Sequence, residues 1–275
     1  MMQPRVLILH ADGTNRDHEA ARAFELAGAR AEIVHLNQLR AREKSWRDYQ
    51  ILALPGGFSY ADTLGAGRLL ALDLKTYFAD ETRAFIASGK PVIGICNGFQ
   101  ALVKAGLLPG LQPPTSNFQP PITNHQLPIT DLQATLTFNA RGHFECRWVT
   151  LAPRSPTCVW TRGLDEPIEC PVAHGEGNFV LRDPALLDAL RANDQIALTY
   201  ARADGSPARG KYPFNPNGSI ADIAGVCNPQ GNVLGLMPHP EDHVVAYQHP
   251  RWTRGERGRT GLILFENGVR YAAQL

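Results

Sequence analysis

The chain has 275 residues, 44% of them hydrophobic and 19% charged, and a formal net charge of +1 at pH 7. That apolar content supports a sizeable core and excludes extensive disorder. A near-neutral balance with no basic stripe speaks against nucleic acid as the main partner. No apolar run approaches a membrane span and the N-terminus lacks a signal-peptide pattern, so a cytoplasmic protein without membrane contact is expected. The five cysteines are odd in number and widely spaced, with no Cys-Xaa-Xaa-Cys pair. Neither a disulfide framework nor a cysteine zinc site follows from such a set.

In chain order, Arg5 to His10 reads as an apolar strand and Asp12-Gly13-Thr14-Asn15 as a polar turn. His18 to Ala27 has helical spacing and stops at Gly28, and Ala31 to Leu36 reads as a second strand. This β-α-β unit implies a parallel sheet. A third strand, Gln50 to Leu54, ends in Pro55-Gly56-Gly57-Phe58-Ser59, and a helix is predicted from about Leu69 to Ala87. The run Val92 to Ile95 reads as a buried strand, and the pattern turns helical at Cys96. Six prolines between Leu108 and Thr130 predict a surface excursion over about 108–130, a stiff exposed arm suited to contacting a partner. Segments around Leu136, Val149, Val172 and Phe179 predict antiparallel strands; a helix over Pro184–Ala192 and a strand at Ile196–Tyr200 follow. Strands near Ile223–Cys227 and Val233–Met237 and a helix around Leu262–Tyr271 complete the chain. The expected class is α/β: one domain spanning 1–275, built on a doubly wound, mostly parallel sheet with an antiparallel extension. Sites in such sheets lie at the carboxyl ends of the strands.

Two stretches at such ends carry chemistry. Gly94-Ile95-Cys96-Asn97-Gly98 has the form of a nucleophile elbow with sulfur in place of the serine oxygen. An elbow sets its side chain at a helix N-terminus, where the dipole favours thiolate. Met237-Pro238-His239-Pro240-Glu241 places a histidine after an apolar strand, with a carboxylate two residues on that can fix its tautomer. Together they propose Cys96 as nucleophile, His239 as base and Glu241 as its orienting group. The backbone N–H groups of Asn97 and Gly57 are the candidate oxyanion donors. Gln100, one helical turn after Cys96, can reach a substrate amide or carboxylate. Each stretch also has an ordinary reading, a buried cysteine or a histidine in a proline-rich loop. The remaining histidines (His10, His18, His35, His125, His143, His243 and His249) have no ligand spacing, so no metal is expected.

These motifs, with Ala173-His174-Gly175-Glu176-Gly177, Asn215-Pro216-Asn217-Gly218-Ser219 and Leu264-Phe265-Glu266-Asn267, resemble the class I (triad) glutamine amidotransferases nearly end to end. Cys-Asn-Gly-Phe-Gln and Ala-His-Gly-Glu-Gly are similar to the branch that serves purine synthesis. The resemblance implies a flavodoxin-like fold and hydrolysis of glutamine through a thioester on Cys96. It also implies release of ammonia to a separate synthetase subunit that uses ATP and magnesium, with a small third subunit completing the complex and no cofactor in this chain. It places Gly56, Phe58, His174 and Glu176, beside Gln100, at the glutamine pocket, the last two near it or the subunit face. The sequence departs from the family at Ala61, Arg141, His143 and Asp242, none of them in the triad. Other triad amidotransferases, a stand-alone thiol hydrolase or chaperone-like protein of the same architecture, and a non-catalytic regulatory partner remain as alternatives.

Overall fold

The computed structural model describes residues 3–111 and 132–275. Its main sheet has nine strands in the order β2-β1-β3-β4-β11-β10-β9-β6-β7. The parallel half contains β2 (Arg30–His35), β1 (Arg5–His10), β3 (Ile51–Leu54), β4 (Val92–Ile95) and β11 (Val233–Leu236). The antiparallel half adds β10 (Ile223–Cys227), β9 (Ile196–Ala201), β6 (Glu145–Pro153) and β7 (Ile168–His174). A separate antiparallel pair joins β5 (Ala134–Thr137) to β8 (Asn178–Leu181). The expected antiparallel extension is therefore present, and it is as wide as the parallel part beyond β11.

The central strands β3, β4 and β11 are buried along their whole length, as their unbroken apolar runs require. Helices α1 (Asp17–Leu26) and α7 (Leu262–Ala272) pack together, Phe24 meeting Phe265 edge-on at 5.0 Å between ring centroids. Helix α5 (Asn97–Lys104) lies against β3, β4 and β11, and its Phe99 stacks on Phe179 of β8 at 6.0 Å. This close approach needs Gly98, because a Cβ there would sit 2.0 Å from the carbonyl oxygen of Leu54. The short helix α6 (Leu186–Ala192) leads into β9.

Three local departures from the sequence reading have physical causes. The helix expected over 69–87 is two helices, α3 (Arg68–Thr76) and α4 (Ala79–Ala87). The N–H groups of Tyr77 and Phe78 both bond the Asp73 carbonyl, closing α3, and Phe78 turns inward onto Trp46 at 5.6 Å. A short helix α2 (Leu36–Arg40) follows β2 because His35 and Gln38 form a reciprocal cap. The surface excursion begins later than Leu108: Leu108, Pro109 and Leu111 are buried. Gln195 Nε2 donates to the Pro109 carbonyl at 2.6 Å, and the Gln133 amide both donates to and accepts from the Leu111 backbone. The rest of the predicted excursion lies outside the described residues. Among the described residues, no helix is long and apolar enough to cross a membrane.

Candidate active site

Cys96 stands between β4 and α5 with φ 48° and ψ −102°, a strained conformation for any residue but glycine. The elbow read from the sequence is thus present. The backbone is held by the Cys96 N–H, which donates to the Leu236 carbonyl at 2.8 Å. Strand β11 runs parallel beside β4, Leu236 opposite Ile95, so the segment leaving β11 emerges next to Cys96. That segment carries His239, whose N–H donates to the Pro171 carbonyl at 2.8 Å.

His239 is 2% exposed and Glu241 1%. Glu241 Oε1 lies 2.7 Å from His239 Nδ1, which leaves Nε2 as the working nitrogen. That Nε2 has no hydrogen-bond partner among the described residues. Burial works to lower the His239 pKa, but the Glu241 carboxylate and the Cys96 sulfur beside the ring overcome it and hold the pKa well above the ordinary histidine value. An imidazolium facing a thiolate is the pairing that makes cysteine nucleophilic. Gly56 gives the pair its room: a Cβ there would lie 2.6 Å from His239 Cε1 and 3.4 Å from Cys96 Cβ. It keeps His239 and Cys96 clear of each other, and it is not among the residues that line the cavity over Cys96. Asp242 lies beside the dyad, with ligand-type atoms of His239, Glu241 and Asp242 all within 4.8 Å of one another. Burial and the neighbouring Glu241 charge raise the Asp242 carboxyl to about 6, against the opposing pull of His239 and Arg16.

A cavity of about 180 Å³ opens over Cys96, and Gly57, Phe58, Gln100, His174 and Glu176 line it with the cysteine. The fold thus brings residues expected from three separated stretches together around one small hollow. Gly57 has φ +124°, and Asn97 opens α5, where the first N–H groups have no intrahelical acceptor.

The whole-chain comparisons agree with this geometry. Residues 3–272 match the model of the CobB/CobQ-like glutamine amidotransferase domain. The chain belongs to the glutamine amidotransferases. A PurQ subunit of phosphoribosylformylglycinamidine synthase from Treponema denticola is 55% identical over 98% of this chain and 99% of its own. The PurQ subunit from Dehalococcoides mccartyi is 43% identical over the full length of both. A chain in the structure of PurLQS from Thermotoga maritima superposes with a TM-score of 0.71, at 30% identity, over 98% of this chain and 99% of that one.

Within this amidotransferase, several pocket side chains hold the walls together. Gln100 Nε2 donates to the Glu176 carbonyl at 2.7 Å, and its Oε1 accepts from Asn97 Nδ2 at 3.2 Å. Both ends of the Gln100 amide are thus engaged within the protein. The Glu176 carboxylate accepts from the Ala66 N–H at 3.2 Å and from Lys104 Nζ at 3.3 Å. Asn97 Nδ2 also donates to Asp62 Oδ1 at 2.8 Å, and its Oδ1 accepts from the Ser59 N–H at 3.2 Å. These bonds fasten α5 to the loop after β3, where Tyr60, Ala61, Asp62 and Leu64 all have positive φ. Ser59, Asp62, Lys104 and Asn139 were not singled out from the sequence. Their common signal is only that each is polar and lies near a glycine-rich stretch. Phe138 and Phe144, 71% and 51% exposed, also line the cavity, from the antiparallel side. Of the family departures, Arg141 stacks on the Tyr212 ring at 4.2 Å and His143 pairs with Glu145 at 2.9 Å.

Proposed function

We infer that this amidotransferase is the glutaminase subunit of phosphoribosylformylglycinamidine synthase. The carrying observation is the end-to-end identity with PurQ subunits, 55% and 43% over nearly whole chains, and the Cys96, His239 and Glu241 geometry supports the chemistry. Cys96 sulfur attacks the side-chain carboxamide carbon of glutamine, and the oxyanion that forms lies between the Gly57 and Asn97 N–H groups. His239, oriented by Glu241 at 2.7 Å, passes its proton to the nitrogen as the C–N bond breaks. Ammonia leaves and a thioester remains on Cys96. His239 then deprotonates water, which attacks the thioester and releases glutamate. The ammonia goes to a synthetase subunit that uses ATP and magnesium to convert formylglycinamide ribonucleotide to its amidine, in a complex with a small third subunit. The 109–128 stretch, which beyond Leu111 lies outside the described residues, is proposed as part of the synthetase contact.

The test is exposure to a diazoketone analogue of glutamine, followed by peptide mapping, with and without the synthetase. One adduct on Cys96, blocked by glutamine and lost in His239→Ala, is the expected result. Absence of any adduct in both states would sink the reading.

A further inference from the structure

His174 ends β7 and is 3% exposed, and the hydrogen bonds around it decide which ring nitrogen carries the proton. Asn139 Nδ2 donates to the carbonyls of His143 at 2.9 Å and His174 at 2.8 Å. Asn139 Oδ1 accepts from the Gly177 N–H at 2.9 Å. These three bonds leave the amide one orientation, with its oxygen 3.1 Å from His174 Nδ1. An amide oxygen can only accept, so Nδ1 is the donor and Nε2 of the neutral ring has a lone pair and no proton. Burial first, and the neighbouring His239 second, push the His174 pKa down to about 4, so the ring stays neutral near pH 7. Nε2 is buried and has no hydrogen-bond partner among the described residues. An acceptor left unpaired in a protein interior is costly and calls for a donor.

The position tells which donor. His174 lines the same cavity as Cys96. The carbonyl of the preceding residue, Ala173, accepts from Cys96 Sγ at 3.7 Å, so this part of β7 faces the reacting end of the cavity. Gln100 and Glu176, the other polar side chains expected to read the substrate, are already bonded within the protein.

We propose that His174 Nε2 accepts a hydrogen bond from the carboxamide N–H of bound glutamine, and that this contact distinguishes the amide from a carboxylate. The inference rests on the glutaminase reading above. A carboxamide nitrogen offers N–H groups to the bare lone pair. The carboxylate of glutamate offers only lone pairs, which Nε2 repels. The same atom therefore selects the substrate and disfavours the product.

The experiment compares His174→Leu and His174→Gln with the unaltered chain in complex with the synthetase. Leucine occupies the space without an acceptor, whereas glutamine returns an amide oxygen at about the reach of Nε2. His174→Leu is expected to lower kcat/KM for glutamine by roughly 10- to 100-fold, while inhibition by glutamate stays the same or strengthens. His174→Gln is expected to recover most of the discrimination. Reaction of Cys96 with methyl methanethiosulfonate, which has no amide, should proceed at one rate in all three. An unchanged ratio of glutamine turnover to glutamate inhibition in the leucine variant overturns the inference. So does a parallel loss of turnover and thiol reactivity, which marks a structural role. Nitrogen NMR of histidine-labelled Cys96→Ala protein needs no change at His174: its Nε2 signal should move with glutamine and not with glutamate, and a signal indifferent to both also overturns it. An unaltered complex that turns over no glutamine sinks the glutaminase reading itself, and this inference with it.

Discussion

The two halves of the main sheet divide the work of the site. The parallel half carries the proposed nucleophile, base and orienting carboxylate: Cys96 after β4, and His239 and Glu241 after the adjacent β11. The antiparallel half supplies the wall, with Ala173, His174 and the turn to Glu176 arriving from β7 at the far edge of the sheet. Four strand positions separate β11 from β7, yet Pro171 of β7 accepts the N–H of His239, which follows β11, at 2.8 Å. The sheet must therefore curl until its antiparallel edge meets the segment leaving β11. Chemistry is local to two neighbouring strand ends, whereas recognition depends on the course of the whole sheet.

Substitutions in the two halves should separate along that line. Cys96→Ser removes the nucleophile and should reduce glutamine-dependent amidine formation by roughly 10⁴-fold or more. Formation from ammonium salts in the same complex should survive, and its loss would mean that the parallel half also builds the partner contact. Glu241→Gln should cost about 10³- to 10⁴-fold in kcat by losing control of the His239 tautomer, with little change in KM.

Lys104→Met cuts the ion pair to Glu176 that ties α5 to the antiparallel wall. It should raise KM for glutamine several-fold, on the order of 1 kcal/mol for a partly exposed pair, and leave kcat nearly unchanged. Equal effects on both parameters would show that the wall also shapes the elbow.

The smallest effect concerns Asp242. Its folded-state pKa of about 6 lies above the ordinary 3.8, so between those pH values the folded chain holds a proton that the unfolded chain has lost. Its contribution to stability is then greatest below the window and falls as pH rises through it. Asp242→Asn should therefore raise Tm by a few degrees at pH 8, and the difference should vanish below about pH 4. A constant difference across that range would remove the electrostatic explanation.

The elbow and the histidine segment were legible because each motif is contiguous: Gly94 to Gly98 and Met237 to Glu241 state their turns in glycine and proline. The alternation of strands and helices over residues 5–104 was legible for the same local reason. The break between α3 and α4 was not, because Leu70, Leu74 and Phe78 continue one apolar spacing while the backbone turns at Phe78. The left-handed run Tyr60-Ala61-Asp62 has no glycine to announce it. Asn139 was invisible because its role depends on β5, β7 and the Gly175–Gly177 turn meeting in space. Leu108 to Leu111 were read from their prolines as surface, but their apolar side chains decided the outcome.

The hydrogen bond from His239 N–H to Pro171 has a consequence for regulation. Pro171 sits in an edge strand, where a residue lacking its own N–H does no harm, and the proposed base His239 covers part of that edge with its peptide group. Swinging His239 away would break this contact with the outer side of β7, so His239 is a poor moving part for an on–off device. Any throttle on ammonia production would have to act through the opposite lip of the cavity, at the strained loop after β3, where conformational play does not loosen the sheet.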